Sequence, residues 1–338
     1  MEICGRQDRF LPPSRQCLPA SGSRGIGLPN QSSSAASRFF FSRHPYTNPG
    51  IDTILTEARR KFHHALLGSI LTVNQQGVPS IADSSQRTSV NLARGIVERI
   101  GELQPKEKIA GQSSGMQFER LCAQFLEDTF LRLGHLRPGE WEITHVRGRK
   151  GPRVAQFEQY SHLLDLDQLA KANKALFAVL GNDYAISPDV VVLRHPLSDP
   201  AINQADQPVI DPARALGRYS PLRKANNEYP MLHASISCKW TIRSDRAQNA
   251  RAEALNLIRN RKGRTPHIVV ITAEPTPSRL SSLALGTGDM DCVYHFALPE
   301  LIDSVKAEGN DEAESLLDAL VTGKRLRDIS DLPLDLAI

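Results

Sequence analysis

Met231-Leu232-His233-Ala234-Ser235-Ile236-Ser237-Cys238-Lys239-Trp240 alternates with the period of a β-strand. Leu232, Ala234, Ile236, Cys238 and Trp240 share one face; His233, Ser235, Ser237 and Lys239 share the other. A slip of one residue would exchange the faces, so Ser237 and Lys239 are tied to one side. Beyond Thr241-Ile242-Arg243, an apolar stripe at helical spacing runs through Ala247, Ala250, Ala254, Leu257 and Ile258. Ser244 is the expected N-cap of that helix and Gly263 its stop. Arg259, Arg261, Lys262 and Arg264 crowd the end where the macrodipole favours cations. The β-branched run His267-Ile268-Val269-Val270-Ile271-Thr272 follows at once. Strand, helix and strand in this order predict a right-handed crossover and parallel pairing. The fold class is therefore α/β, a central sheet flanked by helices.

Working outward, Pro188-Asp189 opens a second apolar run, Val190-Val191-Val192-Leu193. It is short, β-branched and proline-started, which suits a buried strand of a parallel sheet. An aspartate at the mouth of such a strand can aim a carboxylate at a hard cation, although the dipeptide alone also fits a turn. A lone strand lysine likewise fits a solvated edge. The combination is more telling. Asp189, Lys239 and Glu253 supply two acids and an amine, the groups that hold divalent metal against a phosphodiester. Arginine reads guanine O6 and N7, and aspartate accepts from cytosine N4. Arg243, Asp245 and Arg246 therefore suit G·C pairs.

These residues carry a resemblance. Pro188-Asp189, Ser237-Cys238-Lys239, Arg243-Ser244-Asp245-Arg246 and Glu253 look like the NgoMIV type II restriction endonucleases, of the PD-(D/E)XK nuclease superfamily. The likeness extends from about Ala58 to Ile338. It includes Gly111-Gln112-Ser113-Ser114-Gly115, Ala273-Glu274-Pro275-Thr276-Pro277-Ser278-Arg279 and the tail Asp328 to Leu336. The superfamily usually has an acid two residues before its lysine; here that position is Ser237. The NgoMIV-type pattern has the same serine and takes its acid from the next helix. The resemblance thus implies a restriction-endonuclease-like core with a mixed sheet, Asp189 and Glu253 as metal ligands, Lys239 at the phosphate, and Glu119 as a further acid near the site. It implies that Arg243, Asp245 and Arg246 read the inner CCGG of a palindrome, that Asp83 and Arg279 read the outer G·C pair, and that Gln112 touches the minor groove. It further implies two Mg2+ per active site, cleavage of double-stranded DNA at GCCGGC after the first G to leave a 5′ CCGG overhang, and a tetramer built as a dimer of dimers. A palindromic target matches a two-fold protein. Two other readings fit parts of the pattern. A catalytically silent DNA-binding member would be expected to have lost Asp189, Lys239 or Glu253. A repair or junction nuclease would leave the Arg-Ser-Asp-Arg segment without a purpose.

The remaining features set bounds. A formal charge of +4 over 338 residues gives no strongly basic tail, so DNA binding would rely on a local patch and base readout. No apolar run is long enough to span a bilayer. Five cysteines without paired spacing argue against a disulfide framework or a zinc site and suit a reducing cytoplasm. Cys238, on the face opposite Lys239, reads as a packing residue. His63, His64, His162, His233, His267 and His295 have no metal-ligand spacing. Residues 1–50 are rich in serine, proline, glycine and arginine, and Glu2 and Asp8 are their acids. They are expected to be a disordered extension preceding one catalytic and recognition domain, 51–338. Helices are expected near Ile51 to Leu71, Val90 to Leu103, Gly115 to Leu133, Leu163 to Leu180, Ser278 to Leu285, Pro299 to Glu308 and Asp311 to Thr322. A strand is expected at Cys292 to Phe296, and a loop excursion between Arg194 and Tyr229.

Overall fold

The expected strand–helix–strand unit is present and anchors one half of a mixed sheet. A computed structural model describes residues 52–101, 111–146, 153–175, 178, 186–211, 213–214, 216–286 and 288–338, with the backbone alone at 111, 112, 153 and 244–246. All of these fall within the compact unit Ile51–Ile338. The expectation for residues 1–50 lies outside them.

Among the described residues the strands are β1 (Trp141–His145), β2 (Val190–Arg194), β3 (Met231–Lys239), β4 (His267–Thr272), β5 (Cys292–His295) and β6 (Leu326–Asp328). They join into one six-stranded sheet in chain order. β3, β4, β5 and β6 run parallel, whereas β2 is antiparallel to both its neighbours, β1 and β3. The longer helices are α1 (Ile54–Leu67), α2 (Arg87–Ile100), α3 (Gly111–Thr129), α4 (His162–Ala172), α5 (Ser244–Asn260), α6 (Pro277–Ala284), α7 (Leu298–Glu308) and α8 (Asp311–Thr322). None of them is long and apolar enough to cross a membrane.

The parallel expectation for β2 is corrected. Val190 to Leu193 is buried throughout, and burial on both faces removes the alternation that usually marks an antiparallel strand. α5 also begins one residue earlier in register than expected. Arg243, not Ser244, occupies the N-cap, with extended backbone and no capping side-chain bond. The helix ends at Asn260, and Gly263 lies beyond it at φ +83°, where the chain turns left-handed toward β4.

β3 is an interior strand, so Lys239 is not on an edge. Its even-numbered side chains meet α3. Phe118 stands edge-on to Trp240 at 5.1 Å between centroids, and Trp240 reaches Phe296 at 6.3 Å. Phe62 of α1 adds to this aromatic line against Phe118 and Phe125, at 6.5 and 5.5 Å. Cys122 and Cys238 are buried there as free thiols. Arg59 of α1 closes the other side, donating to both oxygens of Glu300 at 2.8 and 2.6 Å and to Asp328 at 3.0 Å. His233 is structural: its ring stacks on Phe130, meets Trp141 edge-on and bonds Leu336 O at 2.8 Å.

Candidate active site

Asp189 occupies the bend just before β2. Its carbonyl accepts from Val146 N at 2.9 Å, locking the end of β1 to the start of β2. The pairing of Val190 with Ile236 then sets Asp189 beside Ser237, Cys238 and Lys239. All their donors meet one carboxylate oxygen. Oδ2 accepts from Cys238 N at 2.8 Å, from Lys239 Nζ at 3.0 Å and, more weakly, from Ser237 Oγ at 3.5 Å. The strand backbone thus fixes the carboxylate, and the carboxylate fixes the amine.

More acids face this pair. Burial disfavours the Lys239 charge, but Asp189 and Glu253 outweigh it and hold the ammonium above its ordinary pKa. Glu253 rides on α5, the helix that follows the lysine strand, as the sequence implied. Glu119 of α3 comes to the same place. Burial pushes its carboxyl up, and so does the Asp189 charge, while His145 and Lys239 pull it down. His145 Nε2 lies 2.8 Å from Glu119 Oε2. Asp189, Lys239, Glu253, Ser237 and Glu119 are therefore brought together.

The donor set suits a divalent cation in kind. Carboxylate oxygens are hard ligands, and several of them compete here for one ammonium, leaving negative charge to balance. Among the described residues no group of three or more His, Cys, Asp and Glu side chains could hold a metal unaided. Water and substrate oxygens would complete the shell, as Mg2+ tolerates.

The residues expected to read bases fall in two groups. The chain leaves Lys239 through Trp240 and reaches Arg243, an exposed side chain at the N-terminal end of α5. The side chains of Asp245, Arg246 and Gln112 lie outside the described residues. Asp83 and Arg279, far apart in the chain, form an ion pair. Asp83 is held from the other side as well, its Oδ1 accepting from Ser85 Oγ at 2.7 Å and Ser85 N at 3.1 Å. Ser85 and Arg279 hold its carboxyl down to about 2. Behind Arg279 stands Glu274, fully buried, with Oε2 at 3.8 Å from Arg279 Nη1.

Two residues escaped the sequence reading. His145 ends the short strand Trp141-Glu142-Ile143-Thr144-His145; the alternation of Trp141, Ile143 and His145 was the available signal. Glu274 was visible only as part of a longer matched stretch. An acid just past a buried β-branched strand, followed by Pro-Thr-Pro, is the pattern that could have flagged it.

Residues 62–338 match the profile of a family described as NgoMIV restriction enzyme. The type II restriction enzyme NgoMIV of Neisseria gonorrhoeae is 50% identical over 289 residues, spanning 85% of this chain and 100% of that protein. A solved restriction endonuclease PspGI–substrate DNA complex is 15% identical, with 84% of this chain and 90% of that one covered; at a TM-score of 0.22 it has no bearing on the reading. Matched across most of its length and half identical to a named member, the chain belongs to the NgoMIV restriction enzyme family, whose members are site-specific deoxyribonucleases.

Proposed function

We propose that this enzyme cleaves double-stranded DNA at GCCGGC after the first G, leaving a 5′ CCGG overhang, with Mg2+ as cofactor and as a tetramer of two dimers in the cytoplasm. The observation that carries the catalytic part is the contact of Lys239 Nζ with Asp189 Oδ2 at 3.0 Å, made between the end of β3 and the bend that leads into the antiparallel β2, with Glu253 and Glu119 facing it.

Asp189 and Glu253 are the residues that would hold the metal, two ions per site. When bound, the cations supply Lewis acidity at the scissile phosphate and help ionise the attacking water. Lys239, kept charged by its acidic neighbours, stabilises negative charge as it builds on the phosphate. Ser237 adds a small hydroxyl where many relatives of this superfamily place a carboxylate, so the negative charge of the site comes from α3 and α5 instead. Glu119, its carboxyl raised by burial and by the Asp189 charge, is a further acid beside the Asp189–Lys239 pair. His145 orients it.

Recognition follows from residue type and placement. Arg243, Asp245 and Arg246 read the inner G·C pairs from the major groove, Asp83 and Arg279 read the outer pair, and Gln112 contacts the minor groove. The adjacency of Lys239 and Arg243 in the chain, and the pairing of Asp83 with Arg279, support this division. Plasmids carrying none, one or two GCCGGC sites, incubated with Mg2+ and mapped at the cut, test the proposal. Cutting unrelated to that sequence would overturn it, and faster cutting of the two-site plasmid is the signature of a tetramer engaging two DNA copies.

A further inference from the structure

Glu274 poses a physical question. Its side chain is fully buried one residue beyond Ala273, where the chain has just left β4, and burial pushes its carboxyl up. A buried acid is costly unless its oxygens are satisfied, and it is rarely kept for stability alone. The pattern of its partners supplies the reason. Oε2 accepts from Ile242 N at 2.9 Å, and Ile242 is the residue immediately before Arg243. The same oxygen lies 3.8 Å from Arg279 Nη1. Oε1 accepts from Thr276 N at 3.2 Å, just ahead of Pro277 and the start of α6, which carries Arg279. The main chain is fixed too. Glu274 N donates to Thr272 Oγ1 at 3.2 Å, and its carbonyl is 3.2 Å from His295 Nε2. Next to it, Ala273 N donates to the carbonyl of Lys239 at 3.4 Å.

We propose that Glu274 is a positioning residue for specificity: it clamps the Ile242–Arg243 corner to the segment bearing Arg279, so that the inner and outer base-pair readers move as one unit. This rests on the assignment of Arg243 and Arg279 as readers. The two readers sit on connections after different strands, β3 and β4, and DNA presents the inner and outer pairs at a fixed spacing. A loop–loop offset of an ångström would spoil one set of bidentate bonds while leaving the other intact. Glu274 removes that freedom by bonding both loops with a single rigid carboxylate. Pro275 and Pro277 stiffen the intervening backbone.

The test compares cleavage of duplexes carrying GCCGGC and ACCGGT, which differ at the outer pair alone, by the unaltered enzyme, Glu274→Gln, Arg279→Ala and the double variant. The expected result is a loss of GCCGGC over ACCGGT selectivity by about tenfold or more in Glu274→Gln, with little further loss when Arg279→Ala is added, since both act through one reader. Glu274→Asp, which keeps the charge and shortens the reach, should restore part of the selectivity, and it carries the test if the glutamine variant does not fold. Unchanged selectivity in a folded Glu274 variant, or losses that simply add to those of Arg279→Ala, would overturn the inference. Full selectivity in Arg279→Ala would instead overturn the reader assignment.

Discussion

Asp83 and Arg279 meet across 196 positions of sequence and hold each other in an ion pair. As the proposed readers of the outer pair, Arg279 and Asp83 would exchange this bond for contacts to guanine and to cytosine. An incorrect outer pair leaves at least one of them without its partner. On that proposal the pair would contribute discrimination through the cost of breaking it as well as through what replaces it.

Arg279→Ala tests this arrangement. Selectivity for the outer pair should fall by about 1–3 kcal/mol, with selectivity at the inner CCGG retained. Relative kcat/KM values on duplexes altered at single positions provide the measurement, and equal losses at inner and outer positions would show that Arg279 is not a position-specific reader.

Lys239→Ala should slow cleavage by at least about 10²–10³-fold while leaving affinity for the cognate duplex within a few-fold. Single-turnover cleavage in Mg2+ and gel-shift binding in Ca2+ separate the two effects. Loss of binding on the same scale as loss of cleavage would place the lysine in recognition rather than chemistry.

Phe118→Ala removes the ring on which Trp240 rests, next to both Glu119 and Lys239. The expected cost is about 3–5 kcal/mol of stability. Denaturant titration gives the value directly. A cost below about 1 kcal/mol would mean that the aromatic line from α1 to β5 is not what braces the lysine strand.

Acid should unfold this protein early. Burial holds His233 down to about 3 and His295 to about 4, against an ordinary value of 6.5. Between these limits the unfolded chain binds protons that the folded chain refuses, so stability rises with pH and is lost as pH falls below about 6.5. Together the two histidines should remove roughly 2 kcal/mol between pH 6 and 5. Chemical denaturation at the two pH values checks this, and His233→Gln should flatten the slope if it folds.

The parallel half of the sheet was legible because its parts are periodic. β3 alternates, α5 carries an alanine stripe, and β4 is a β-branched run of full length. The antiparallel half was not. β2 is buried on both faces and so reads like a parallel strand, β1 spans Trp141 to His145 among charged neighbours, and β6 is Leu326 to Asp328. Residue type identified Asp189, Lys239 and Glu253 as a set, and the resemblance added Glu119, Asp83 and Arg279. Contacts made only by tertiary packing stayed hidden. The bond between His145 and Glu119 joins residues 26 positions apart on different elements, and no local pattern in either segment announces the other.

The antiparallel pairing of β2 with β3 has an evolutionary corollary. Asp189 and Lys239 lie at one end of that ribbon, and Arg194 pairs with Met231 at the other. The excursion between Arg194 and Met231 therefore departs and returns at the pole remote from the chemistry. Its length and content can drift, or accept an inserted module, without altering the ladder that spaces acid from amine. Lineages that diverge in this stretch should keep the same catalytic geometry.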